Sequence, residues 1–202
     1  MTTQLSRSIE EVIEGQQTSD GDGVKLTRVI GGGNLNRFDP FLMLDEFGSH
    51  EAADYIGGFP SHPHRGFETV TDMLNGSMEH RDHMNNVGKL DPGDVQWMNA
   101  GSGVIHSEMP RQEEGLMRGF QLWLNLPGAE KMKPATYQDL KSDSIPVYAI
   151  DGVKIKAIAG ELVSDGVQLK GAVSGLTTDP AYLDIEFKAS RSLTLEVPAG
   201  YT

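Results

Sequence analysis

Cysteine is absent from the chain. That removes disulfides, iron–sulfur clusters, thiolate-held zinc and cysteine nucleophiles at once. Basic residues are scarce beside acidic ones: 17 Lys and Arg against 29 Asp and Glu leave a formal charge of −12. No Lys/Arg run interrupts that balance, so a broad phosphate-binding surface for nucleic acid is not expected; acidity of this size favours solubility instead. No apolar run approaches the roughly 18 residues of a membrane-spanning helix. The N-terminal stretch from Met1 to Arg7 also lacks the apolar core of a secretory signal. The expectation is a cytoplasmic protein with no membrane and no direct nucleic-acid partner.

Turn-forming residues are plentiful, with 24 Gly and 10 Pro in 202 residues. A chain of this length buries a core without staples, and this composition points to many short strands. Strands are expected at Val24 to Ile30, Phe41 to Phe47, Glu68 to Leu74, Val95 to Met98, Val104 to Met109 and Gly119 to Leu126. In the last of these, Phe120, Leu122, Leu124 and Leu126 share one side. Further strands are expected at Val147 to Ile150, Val153 to Ile158, Tyr182 to Phe187 and Leu193 to Val197. Asn75-Gly76 reads as a hairpin turn joining Glu68 to Leu74 with Ser77 to Asp82. Ser8 to Glu11 fits a capping box, with a strand and turn equally compatible there. Lys133 to Leu140, with Pro134 near its start, suits a short helix. Gly31-Gly32-Gly33-Asn34 lacks the spacing of a phosphate-binding loop and reads as a turn. Short strands at this spacing, without long alternating helices, predict an all-β sandwich or barrel. The chain ends on a strand, a turn and the start of another strand, so an incomplete second domain is expected.

Four residues carry the chemistry: His62 and His64 in Ser61-His62-Pro63-His64, and His106 and Glu108 in His106-Ser107-Glu108. Each pair is spaced i, i+2, which on an extended strand puts both side chains on one face. Two such strands in one barrel would bring three imidazoles and a carboxylate together. That donor set suits iron, nickel, copper, manganese or zinc, with positions left open for exchange. A single His-x-His is more often a surface coincidence than a site, and spacing alone leaves both readings open. Ser102 and Ser107 lack a base and an orienting partner, so a serine hydrolase is not expected.

Longer motifs narrow the choice. The stretch Gly57-Gly58-Phe59-Pro60-Ser61-His62-Pro63-His64-Arg65-Gly66-Phe67-Glu68-Thr69-Val70 resembles the first cupin motif in its pirin form. The stretch from Gly93 to Pro110 resembles the second, and Asp39 to Phe47 and Gly119 to Pro127 also resemble pirin segments. The resemblance implies a double-stranded β-helix, the cupin jelly-roll barrel. It also implies a bicupin layout: a metal-binding N-terminal cupin domain over residues 1–135, and the start of an incomplete second cupin over 136–202. It implies one mononuclear divalent metal, Fe(II) first, with Ni, Cu, Mn, Co or Zn as alternatives, held by His62, His64, His106 and Glu108. The implied activity is that of a quercetin 2,3-dioxygenase, opening a flavonol with O₂ and releasing carbon monoxide. Glu108 would there stay a ligand or accept the phenolic proton as a catalytic base. The alternative is a redox-sensitive regulator that binds a protein partner without turnover. Gly32, Gly33 and Asn34 stand where pirins commonly carry a basic residue and a proline, which weakens the case for a basic partner-binding surface.

Neighbouring residues receive plainer roles. Glu68 is expected beside the metal ligands or in strand pairing; His80 and His83 are expected in solvent, with one of them facing the pocket as the alternative. Met43, Phe47, Phe59 and Met73 suit either a pocket wall or the core, and Trp97 and Trp123 suit the core.

Overall fold

The computed structural model of the chain describes residues 13–33, 38–150, 153–164, 167–173 and 184–186. The capping-box segment at Ser8 to Glu11, Asn34 of the glycine turn, and Leu193 to Val197 with the C-terminal turn lie outside the described residues. The described residues fall into two compact units, 13–142 and those from 143 onward.

The first unit holds β1 (Gln16–Asp20), β2 (Val24–Ile30), β3 (Phe41–Ser49), β4 (Phe59–His64), β5 (Phe67–Asn75), β6 (Met78–Asp82), β7 (Val87–Leu90), β8 (Val95–Asn99), β9 (Val104–Pro110), β10 (Met117–Asn125) and β11 (Thr136–Leu140). They form a seven-stranded sheet, ordered β1-β2-β3-β10-β5-β8-β11, and a four-stranded sheet, ordered β4-β9-β6-β7. The second unit contains β12 (Val147–Ile150), β13 (Val153–Lys156), β14 (Glu161–Ser164), β15 (Val167–Lys170) and β16 (Asp184–Glu186). Its pairings are β12-β13-β16 and β14-β15. The all-β architecture expected from the sequence is the observed one. Among the described residues no helix is long and apolar enough to cross a membrane.

The chain passes repeatedly from one sheet of the first unit to the other, and this overrides two local signals. Asn75-Gly76 does turn the chain, with Gly76 at φ 81°, a region a Cβ disfavours. It does not close a hairpin, however: β5 pairs with β8 and β10, whereas β6 pairs with β7 and β9. The turn carries the chain across to the second sheet. Likewise Lys133 to Leu140 yields a strand rather than a helix, because β11 pairs antiparallel with the open edge of β8 from Thr136↔Asn99 to Leu140↔Val95. Edge pairing satisfies the backbone groups of β11 that face β8, whereas an isolated helix this short is marginal in water.

Between the sheets a cluster of Val24, Leu26, Phe47, Tyr55, Met73, Met78, Leu90 and Met117 is buried. Burying each large apolar side chain contributes on the order of 1.5–3 kcal/mol, so this cluster anchors both sheets beside the cavity. Met73 belongs to this core and does not line that cavity, whereas Met43, Phe47 and Phe59 do. Trp97 is core as expected, only 3% exposed.

Candidate metal centre

β4 and β9 run antiparallel with His62 opposite His106, His64 opposite Val104 and Phe59 opposite Glu108; the register shifts between Phe59 and His62. Period-two alternation then turns His62, His64, His106 and Glu108 to the same side of the four-stranded sheet. His62 Nε2 lies 3.0 Å from His64 Nε2 and 3.0 Å from His106 Nε2. The three imidazoles offer ligand atoms within 4.8 Å of one another. Gly58 seats the start of β4 against β9: it sits at φ 61°, and a Cβ there would meet the Glu108 carbonyl at 2.9 Å and Pro110 Cδ at 2.8 Å.

Protonation follows from the contacts. His62 Nδ1 is 2.7 Å from the Pro60 carbonyl, which can only accept, so that nitrogen carries a hydrogen and Nε2 is the atom turned to the cluster. Burial, then the neighbouring His62 charge, lowers His64 to about 4. Burial together with His62, His64 and His80 pushes His106 down to about 2. These two rings are therefore neutral near pH 7. Facing imidazole lone pairs at 3.0 Å repel unless a proton or a cation lies between them. Two nitrogens at right angles, each about 2.1 Å from one ion, are themselves about 3.0 Å apart, so the spacing fits a single transition-metal ion. Neutral imidazoles are also the donor type such ions take.

Glu108 is not part of the three-imidazole cluster but lines the same cavity, 5% exposed. Burial raises its pKa, opposed by the His62 charge and by Thr71. Thr71 Oγ1 lies 3.1 Å from Glu108 Oε1 and 2.5 Å from the Gln121 side-chain oxygen. A hydroxyl has one hydrogen, so it cannot donate to both. Turning the Gln121 amide resolves this, with Gln121 donating to Thr71 and Thr71 to Glu108. The cavity measures about 560 Å³, inside the range of about 300–1,000 Å³ usual for small-molecule sites. Its walls include the apolar Met43, Phe47, Phe59 and Trp123, together with the polar His62, His64 and Glu108. At one side Arg28 grips Asp45 with two bonds of 2.9 and 2.8 Å, which fixes that carboxylate in place.

Several neighbours differ from expectation. Trp123 is a wall residue rather than core: it lines the cavity and its ring centroid lies 5.1 Å from His64 and 4.6 Å from Phe67. The clean alternation of β10 thus aims Gln121 and Trp123 at the cavity and leaves Phe120 and Leu122 half-buried on the other face. His80 is fully buried rather than solvated, and its Nδ1 lies 3.3 Å from His106 Nδ1. Its alternation with buried Met78 on β6 was the available signal. His83 is exposed and its Nδ1 accepts the Ile105 amide at 3.2 Å. Glu68 accepts from Asn99 at 3.0 Å and is buried, which raises its pKa. It is not in the imidazole cluster.

Comparison with known proteins gives a consistent picture. A family model described as Pirin matches residues 23–124. Over 196 residues the chain is 52% identical to a Pseudomonas aeruginosa protein provisionally named quercetin 2,3-dioxygenase, covering 96% of this chain and 69% of that protein. It is 49% identical over 195 residues to a pirin-like protein of Caulobacter vibrioides, with coverage of 96% and 69%. A crystal structure of quercetin 2,3-dioxygenase from Acinetobacter baumannii superposes with a TM-score of 0.67 at 36% identity, covering 81% of this chain and 58% of that one. The strand order, the imidazole cluster between the two sheets and these matches lead to one assignment: the chain belongs to the pirin family, with the cupin fold.

Proposed function

We propose that the protein is a metal-dependent dioxygenase that opens a flavonol ring at a mononuclear centre held by His62, His64, His106 and Glu108, with Fe(II) as the ion. The observation that carries this reading is the convergence of three imidazole donors, two of which, His62 and His64, line a cavity of about 560 Å³. The names of the Pseudomonas and Acinetobacter relatives support the substrate class. When bound, the ion supplies Lewis acidity toward a phenolic hydroxyl and a redox-active centre for O₂. The chain's own residues do the rest. Phe47, Phe59 and Trp123 wall the cavity against water and offer flat apolar surface to a planar ring. Glu108 completes the donor set or takes the phenolic proton at its carboxylate, and Thr71 orients that carboxylate. The start of a second cupin, which the family resemblance implies over residues 136–202, is read here from residue 143 onward, because β11 pairs with β8 of the first unit.

The test is direct. Protein loaded anaerobically with Fe(II) is mixed with quercetin, then exposed to air, and the flavonol absorbance is followed. Loss of absorbance dependent on His106 supports the enzyme. A fully loaded site without turnover overturns it in favour of a redox-sensing regulator that binds a protein partner.

A further inference from the structure

His80 stands outside the donor set yet touches it from behind. It lies on β6, which pairs with β9 so that His80 is opposite Glu108 and Asp82 opposite His106. Its side chain is 0% exposed, its ring centroid is 4.9 Å from that of His106, and Nδ1 faces Nδ1 at 3.3 Å. The Nε2 of His106 meanwhile points at His62. The two imidazoles therefore meet back to back, away from the cluster of three.

One hydrogen must lie between those two Nδ1 atoms, because two lone pairs or two N–H groups at that distance repel. If His106 presents its Nε2 lone pair to a metal, its own Nδ1 must carry the hydrogen, and His80 Nδ1 must accept it. A neutral His80 then bears its hydrogen on Nε2. That atom is buried with no hydrogen-bond partner among the described residues. An unpaired buried polar atom is unfavourable, so packing alone does not explain a histidine here: an apolar ring would fill the space without stranding a nitrogen.

We propose that His80 is a positioning residue for the metal centre: it accepts from His106 Nδ1, and so holds His106 in the tautomer and orientation that deliver Nε2 to the ion. Partners of this outer kind are usually carboxylates, carbonyls or water. A neutral imidazole is a weaker acceptor than a carboxylate and leaves His106 a neutral imidazole donor rather than pulling it toward imidazolate. This inference rests on the metal-centre reading above.

The test uses zinc as a diamagnetic probe and two variants. In wild-type protein loaded with Zn(II), long-range proton–nitrogen NMR of the six histidines is expected to show His80 hydrogenated at Nε2 and His106 at Nδ1, with the His106 Nδ1 proton shifted by hydrogen bonding. His80→Phe keeps a ring but no acceptor, and is expected to weaken zinc binding about 10–100-fold, the usual effect of losing such a partner. His80→Gln offers an amide oxygen and is expected to recover part of that loss. The unfolding midpoint of each metal-free variant is measured alongside. Should His80→Phe fail to fold, the wild-type spectrum still decides. A zinc-loaded protein whose His80 carries hydrogen on Nδ1, or a folded His80→Phe with wild-type zinc affinity, overturns the role of His80 alone. Wild-type protein that takes up no zinc overturns the metal-centre reading and this inference together.

Discussion

Replacing His62 by alanine separates metal binding from folding more cleanly than any other change at the site. His62 is only partly buried, and its one bond outside the cluster runs from Nδ1 to the Pro60 carbonyl. Losing that bond costs about 1 kcal/mol, or roughly 2–4 °C in the unfolding midpoint for a chain of this size. Yet its Nε2 is the atom 3.0 Å from both other donors, so the ion would lose its central ligand. At a free metal concentration 100 times the wild-type Kd, binding stabilises the wild type by about 2.7 kcal/mol, about 5–11 °C. Loss of an outer-shell partner alone weakens binding up to about 100-fold, and loss of a ligand is at least as severe. At the same metal concentration the variant then keeps no more than about 0.4 kcal/mol. The assay is thermal unfolding by circular dichroism with and without Zn(II) or Fe(II) under argon. The expected result is a small drop in the metal-free midpoint and near-complete loss of the metal-induced shift. A variant that keeps the full wild-type shift refutes the reasoning, because His62 would then not touch the ion.

Two other substitutions probe the site and the scaffold. Glu108→Gln preserves shape but removes the charge and the proton acceptor. Metal analysis should find the ion retained with weakened affinity, while flavonol turnover falls about 10²–10⁴-fold, the usual worth of a positioned base; undiminished turnover contradicts a proton-transfer role. Asp94→Asn tests how the β7–β8 turn is tied to the end of β11: the carboxylate accepts from the Asp91 amide at 3.0 Å, Lys141 Nζ at 2.7 Å and the Ser142 amide at 2.9 Å. An amide cannot accept on both sides, so denaturant unfolding at pH 7 should show a loss of about 1.5–3 kcal/mol. Burial raises the Asp94 pKa, but Lys141 and the two backbone amides outweigh it and hold it below the ordinary value of 3.8. A carboxylate depressed in the folded state stabilises above its unfolded pKa, and that contribution disappears as pH falls through the folded one. The gap between wild type and Asp94→Asn should therefore be constant above about pH 5 and narrow only below the ordinary carboxylate range; a gap that stays constant into strong acid contradicts the assignment.

The i, i+2 pairs were legible in the sequence because strand geometry converts that spacing directly into a shared face, and the register His62↔His106 then joins the pairs. The all-β architecture was legible for a similar reason: turn residues recur at strand-length intervals. What depended on distant pairing was not legible. His80 is a lone polar residue in Met-Glu-His-Arg-Asp, and only the pairing of β6 with β9 buries it behind His106. Trp123 reads as core by composition, but the face of β10 it occupies borders the cavity. Asn75-Gly76 carries the local chemistry of a hairpin, while the partner of each flanking strand is set by residues tens of positions away. Lys133 to Leu140 has too little apolar periodicity of its own to resist the open edge of β8.

The most direct measurement is anomalous X-ray diffraction from crystals of Fe(II)-loaded protein, collected at the iron absorption edge. The account predicts one iron peak per chain, within about 2.0–2.2 Å of Nε2 of His62, His64 and His106 and of a Glu108 carboxylate oxygen. A peak elsewhere, or a loaded site that leaves Glu108 bound to Thr71 and away from the ion, would contradict it.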